Sequence, residues 1–150
     1  MAPWRSGIPG GERDGSIRRG PASLLRSGTD VTLAAYGTLA DEVLTAAELL
    51  EEKGVSAEAV KLNRIAPLDV EPVAESVRRT GRLLVLEDCN ENGSIGQQLA
   101  SALVQAGVAP RKMVLKNLKG AFAPQGSVTQ LRGLLGLDAA GVAESVLDML

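Results

Sequence analysis

Short apolar runs alternate with segments of helical periodicity along this chain, and that alternation narrows its fold more than any other feature. Residues 31–36 (VTLAAY) read as a buried strand bounded by Asp30 and Gly37. Leu39, Val43, Ala46, Ala47 and Leu50 then recur at offsets 0, 4, 7, 8 and 11, one face of a helix. Thr38 and Asp41 have the spacing of a capping box at its start, and Lys53 and Gly54 suit its end. Residues 56–62 form a second strand, interrupted by Glu58 and Lys61. Asp69 can cap the next helix, which tolerates Pro72 in its first turn, turns Val73 and Val77 inward and stops at Gly81. Residues 83–86 (LLVL) are continuously apolar, as in a strand covered on both faces.

The pattern then repeats. A third helix begins near Gly93 and Ser94, with Ile95, Leu99, Ala102, Leu103 and Ala106 facing inward and Gly107 as its stop. Residues 113–115 form a short strand, followed by a turn-rich loop over 116–126. Ser127 and Gln130 have capping-box spacing before a short helix that Gly136 breaks. Asp138 caps a last helix whose predicted inward residues are Val142, Val146, Leu147 and Leu150. The order β-α-β-α-β-α-β-α-α predicts a three-layer α/β fold: a mostly parallel sheet of about five strands, helices on both faces, and room for an antiparallel edge strand. Residues 1–28 read as a flexible leader rich in Gly and Arg, and residues 29–150 as the domain.

Composition excludes several classes of function. Trp4, Tyr36 and Phe122 are the whole aromatic complement, so stacking platforms for bases or sugars are nearly excluded. The net charge of −2 divides unevenly: in residues 1–27 five arginines face only Glu12 and Asp14, leaving the remainder strongly acidic. Arg18 with Arg19 and Arg78 with Arg79 are pairs rather than stripes, so no nucleic-acid partner is expected. No apolar stretch approaches the roughly 20 residues of a membrane helix, and no signal peptide is recognisable. A soluble, cytoplasmic protein is the expectation, consistent with Cys89 as the sole cysteine.

Histidine is absent, which removes the usual proton carrier near neutral pH together with Ser-His-Asp, Cys-His and His-metal sites. Cys89 therefore lacks a base and reads as an inert or partly buried thiol. In an open α/β sheet, ligands gather at the carboxyl ends of the strands, here the loops at 37–38, 87–96 and 116–126. The middle loop is the most polar. Gly93, Ser94, Ile95 and Gly96 open a helix whose free N–H groups could receive an anion, but Glu87, Asp88 and Glu91 would repel one. Close packing or a subunit contact is the preferred reading of the glycines. A Mg²⁺ or Ca²⁺ site on the three carboxylates is the weaker alternative to charged residues that hydrogen-bond across an interface.

Ordered motifs now carry a resemblance. Residues 30–38 (DVTLAAYGT), 46–50 (AAELL), 54–57 (GVSA), 64–69 (RIAPLD) and 80–88 (TGRLLVLED) resemble successive elements of the transketolase C-terminal domain family. Residues 122–127 (FAPQGS) and 135–142 (LGLDAAGV) are similar to the tail of its 1-deoxy-D-xylulose-5-phosphate synthase branch. Transketolases and the beta subunits of 2-oxo acid dehydrogenases share the fold, and the tail motif favours the synthase. The resemblance implies that thiamine diphosphate and Mg²⁺ are bound by two preceding domains, whose Gly-Asp-Gly…Asn motif is missing here. It further implies no catalytic, cofactor-binding or metal-ligating residue in this chain. The expected role is packing and dimerisation, as a split subunit or excised domain whose partner polypeptide carries the cofactor domains. Interface or site-proximal candidates are Glu87, Asp88, Gly93, Gly96, Gln125 and Gly126.

Three departures accompany it. Asn92 to Gly96 stand where relatives have Gly-Gly-Phe-Gly. Gln125 stands where relatives have His, and an amide can hydrogen-bond but cannot shuttle a proton. Residues 5–12 only faintly resemble an Arg-Tyr-Pro-Arg-Gly segment whose arginine would bind substrate phosphate. A stand-alone anion-binding module and a catalytically dead scaffold subunit are the alternative readings.

Overall fold

A computed structural model describes residues 20–120 and 125–150. The leader's residues 1–19 and Phe122 of the tail motif lie outside them. Five strands, β1 (Ala22–Arg26), β2 (Val31–Tyr36), β3 (Ala57–Leu62), β4 (Arg82–Leu86) and β5 (Lys112–Lys116), form one sheet in the order β1-β3-β2-β4-β5. All neighbours are parallel except β1, which runs antiparallel along β3 and shifts register between Leu24 and Arg26. The three-layer, mostly parallel α/β fold with an antiparallel edge strand is thus the observed one.

β1 corrects the reading of residues 22–28 as leader. Composition there is leader-like, but Ala22 and Leu24 meet Leu62 and Val60 across the sheet, and Ala22 is buried. The turn that follows requires Gly28, because a Cβ there would collide with the backbone of Ala57 and Glu58.

Alternate residues of the central strands feed two cores. Val31, Leu33, Ala35, Leu84 and Leu86 pack beneath α1 (Leu39–Glu51) and α5 (Ala139–Met149). Ala34, Val60, Leu83 and Val85 pack beneath α2 (Glu71–Thr80) and α3 (Ile95–Gln105). Each fully buried Leu or Val among them contributes about 1.5–3 kcal/mol relative to exposure. All five predicted inward residues of α1 are buried. In α5 the stripe is Ala139, Val142, Ala143, Val146 and Met149, whereas Leu147 and Leu150 are 37% and 50% exposed. Offsets of 0, 3, 4, 7 and 10 keep that set on one side and leave Leu147, at offset 8, at its edge; Leu150 is on the stripe but lies past the last helical residue, as the C-cap. Ala106 likewise caps α3 in solvent.

One polar seam interrupts the second core. Thr32 Oγ1 lies 2.6 Å from Ser76 Oγ and 2.8 Å from Thr80 Oγ1, both on α2. Glu58, which interrupts the apolar pattern of β3, is fully buried beside it. Arg79 Nη2 donates to Glu58 Oε1 at 2.6 Å, and the Gly28 N–H donates to Oε2 at 3.2 Å.

Candidate functional site

The strand order reverses between β2 and β4: β2 leads through α1 to β3 on one side, and β3 leads through α2 to β4 on the other. At such a switch point an open α/β sheet normally leaves a crevice for a ligand. Here Glu87, the first residue after β4, fills it. The side chain is buried, and its oxygens accept the N–H of Ile95 at 2.8 Å and of Gly96 at 2.7 Å. The Tyr36 hydroxyl donates to Oε1 at 3.1 Å, and the Cys89 thiol stands 3.6 Å from the same atom. Burial, then the charge of Glu87, pushes the Tyr36 hydroxyl well above its ordinary range, and the same two causes raise the Cys89 thiol. Cys89 is therefore a thiol rather than a nucleophilic thiolate.

The N-terminus of α3 thus holds a carboxylate supplied by its own chain. Ser94 completes the cap by accepting from the Gln97 N–H at 3.2 Å. The anion site considered for 93–96 is overturned by this arrangement, since the N–H groups that a phosphate would use are already paired. Gly96 is required for close approach: a Cβ would sit 2.8 Å from Leu115 Cδ2 and 3.0 Å from Glu87 Oε2. Gly93 adopts φ +74° in the turn before it, a conformation that favours glycine. Asp88 is exposed, and among the described residues no group of three or more His, Cys, Asp or Glu is placed to hold a metal ion. The described residues do not fit thiamine diphosphate with Mg²⁺: the α3 N-terminus that could take its pyrophosphate is filled.

A second feature lies along the same edge. Asp88, Leu118, Val128, Leu131, Arg132, Leu135 and Leu137 line a cleft of about 200 Å³ between the strand ends and α4 (Val128–Leu135). That is less than the roughly 300–1,000 Å³ of small-molecule pockets, and its lining is mainly apolar. Arg132 Nη2 donates to Thr38 Oγ1 at 2.8 Å, and Nη1 faces Glu42 Oε1 at 3.6 Å. Thr38 makes no side-chain capping bond to α1, contrary to the capping-box expectation, because its backbone is already helical at φ −69° and ψ −19°; its hydroxyl accepts from Arg132. Glu42 Oε2 also accepts the Ala139 N–H at 2.8 Å, so Arg132 and Glu42 tie α1, α4 and α5 together. Gln125 and Gly126 are exposed just before the Ser127 cap, outside the cleft lining. The Ser127–Gln130 capping box is present in full. Burial, with Lys119 nearby, lowers Lys116 at the end of β5.

The structure brings Glu87, Gly93 and Gly96 together at the start of α3 and sets Asp88 on the cleft; sequence reasoning placed Thr38 in a strand-end loop but did not anticipate Tyr36 or Arg132. Arg132 meets Thr38 across 94 residues, so no local spacing announces the contact.

The family model described as "Transketolase, C-terminal domain" matches residues 20–142. The chain belongs to that family. This transketolase C-terminal domain is 33% identical over 137 residues to 1-deoxy-D-xylulose-5-phosphate synthase 1 of Geobacter sulfurreducens, covering 91% of the chain and 22% of the relative. It is equally 33% identical over 105 residues to the pyruvate dehydrogenase E1 component subunit beta of Staphylococcus epidermidis, covering 70% of the chain and 32% of that relative. Among solved structures, a split gene transketolase described as an inactive beta4 tetramer superposes with a TM-score of 0.79 at 29% identity, covering 88% of this chain and 43% of the other. The domain thus spans about a third or less of these curated relatives.

Proposed function

We propose that this transketolase C-terminal domain completes a thiamine-diphosphate enzyme of the 1-deoxy-D-xylulose-5-phosphate synthase type and catalyses nothing alone. The observation that carries the reading is Glu87: at the point where this fold would bind a ligand, the domain binds its own carboxylate. The absence of histidine from the sequence supports it, since no imidazole is available for proton transfer. The split gene transketolase supports it further, as a beta assembly described as inactive carries the same architecture. In this account thiamine diphosphate and Mg²⁺ belong to a companion polypeptide, and this chain contributes packing and dimer contacts in the cytoplasm.

The synthase assignment draws on the longer match to the Geobacter synthase, which takes in 91% of the chain against 70% for the Staphylococcus beta subunit. That beta subunit, at the same identity, favours a second reading in which the completed enzyme is a 2-oxo acid dehydrogenase component. The test combines this chain with the source organism's polypeptide carrying the cofactor domains, thiamine diphosphate, Mg²⁺ and pyruvate. The synthase reading expects 1-deoxy-D-xylulose 5-phosphate when glyceraldehyde 3-phosphate is added. Pyruvate oxidation with an artificial electron acceptor, and no sugar phosphate, would establish the dehydrogenase reading in its place.

A further inference from the structure

We infer that the outer face of α4 and the cleft beneath it form the surface on which the polypeptide carrying the preceding domains docks; the inference rests on the functional reading above. α4 is held chiefly by polar contacts, with Leu135 packed against the core beneath α1 and α5. It buries none of its residues, yet its start is fixed by the Ser127–Gln130 box, its end by Gly136 at φ +68°, and its middle by Arg132 on Thr38 and Glu42. Val128 and Leu134 are left 64% and 71% exposed. A helix fixed in place with apolar side chains turned to water is the signature of a face covered in the assembly.

The cleft has room for a side chain or two rather than a metabolite. Its lining joins Leu118, Leu131, Leu135 and Leu137 to Arg132, whose buried Nε has no hydrogen-bond partner among the described residues. A buried unpaired donor costs stability until an acceptor reaches it. The matching occupant is a protein segment with a Leu, Phe or Met anchor and a carbonyl or carboxylate oxygen beside it.

Topology says which protein. Pro21 O accepts the N–H groups of Asn63 and Arg64, just beyond β3, so the chain reaches β1 from the carboxyl edge of the parallel strands. The cleft opens on that same edge, at Asp88 after β4 and Leu118 after β5. With β3 and β2 between β1 and β4, neighbouring strands about 4.8 Å apart put the two places roughly 14–19 Å from each other. The family match begins at residue 20 and is to a C-terminal domain, so in a single-chain relative the preceding domains arrive beside this cleft.

The test is calorimetric titration of the source organism's cofactor-domain polypeptide with this chain. The variants are the double substitution Val128→Asp with Leu134→Asp, Leu134→Ser alone, and the control Val104→Asp, an exposed valine late in α3 on the opposite layer. Thermal melts verify folding, and Leu134→Ser serves if the double variant does not fold. The α4 variants should weaken binding by about tenfold or more, the loss of one interface anchor, while the control binds as the parent does. Parent-like binding by a folded α4 variant, or an equal loss in the control, overturns the surface. No binding by the parent chain overturns the functional reading itself.

Discussion

Glu87 carries two oxygens and meets donors from three places: the α3 backbone, Tyr36 on β2 and Cys89 in the following loop. Truncation to Ala would leave the Ile95 and Gly96 N–H groups and the Tyr36 hydroxyl unpaired at a buried helix start. Urea unfolding of Glu87→Ala should show a loss of about 2–4 kcal/mol. The same cluster sets an alkaline limit. An unfolded Tyr36 ionises from about pH 10, whereas the folded one keeps its proton, so the native state binds more protons and stability falls as pH rises above 10. Cys89 acts with the same sign from its ordinary value of 9.0 upward, and Lys116, lowered in the fold, acts oppositely just below 10.5. Unfolding measured from pH 8 to 11 should show a shallower fall for Tyr36→Phe than for the parent; identical slopes would contradict the link. Glu87 was visible in the sequence as part of an acidic loop. Its inward turn was not, because that depends on β4 ending directly beneath the start of α3.

Elements were legible where one periodicity governed them. The 0, 4, 7, 8, 11 stripe of α1 needed no partner to be recognised, and all of it is buried. β1 was missed because five residues beside a Gly/Arg-rich stretch carry no pattern of their own. Their strand conformation is decided by β3, some 40 residues away. Glu58 looked like an interruption of β3 and is the anchor that α2 uses, through Arg79, to hold the sheet. Arg79 is 44% exposed on its side chain while Glu58 is completely enclosed, so most of the desolvation falls on the carboxylate. Arg79→Ala should cost about 2 kcal/mol in chemical denaturation, below the 3–5 kcal/mol for a wholly buried pair, because the Gly28 N–H remains on Glu58. A change under half a kcal/mol would mean that the seam does not fasten α2.

For the molecule as a whole, alternation of strand and helix led to the sheet and its layers, and the ordered motifs led to the family that the matches support. The cleft beneath α4 had no sequence signal, since its walls come from three separated segments brought together by the fold. What unifies these features is an edge where ligand chemistry would be expected and packing is found instead. Release of CO₂ from pyruvate is the direct measurement, with the cofactor-domain polypeptide held constant in thiamine diphosphate, Mg²⁺ and glyceraldehyde 3-phosphate while this chain is titrated in. The account predicts no release from either protein separately and a rate that climbs with added chain to a plateau at equimolar protein. Full activity of the companion without this chain, or turnover by this chain without the companion, would contradict it.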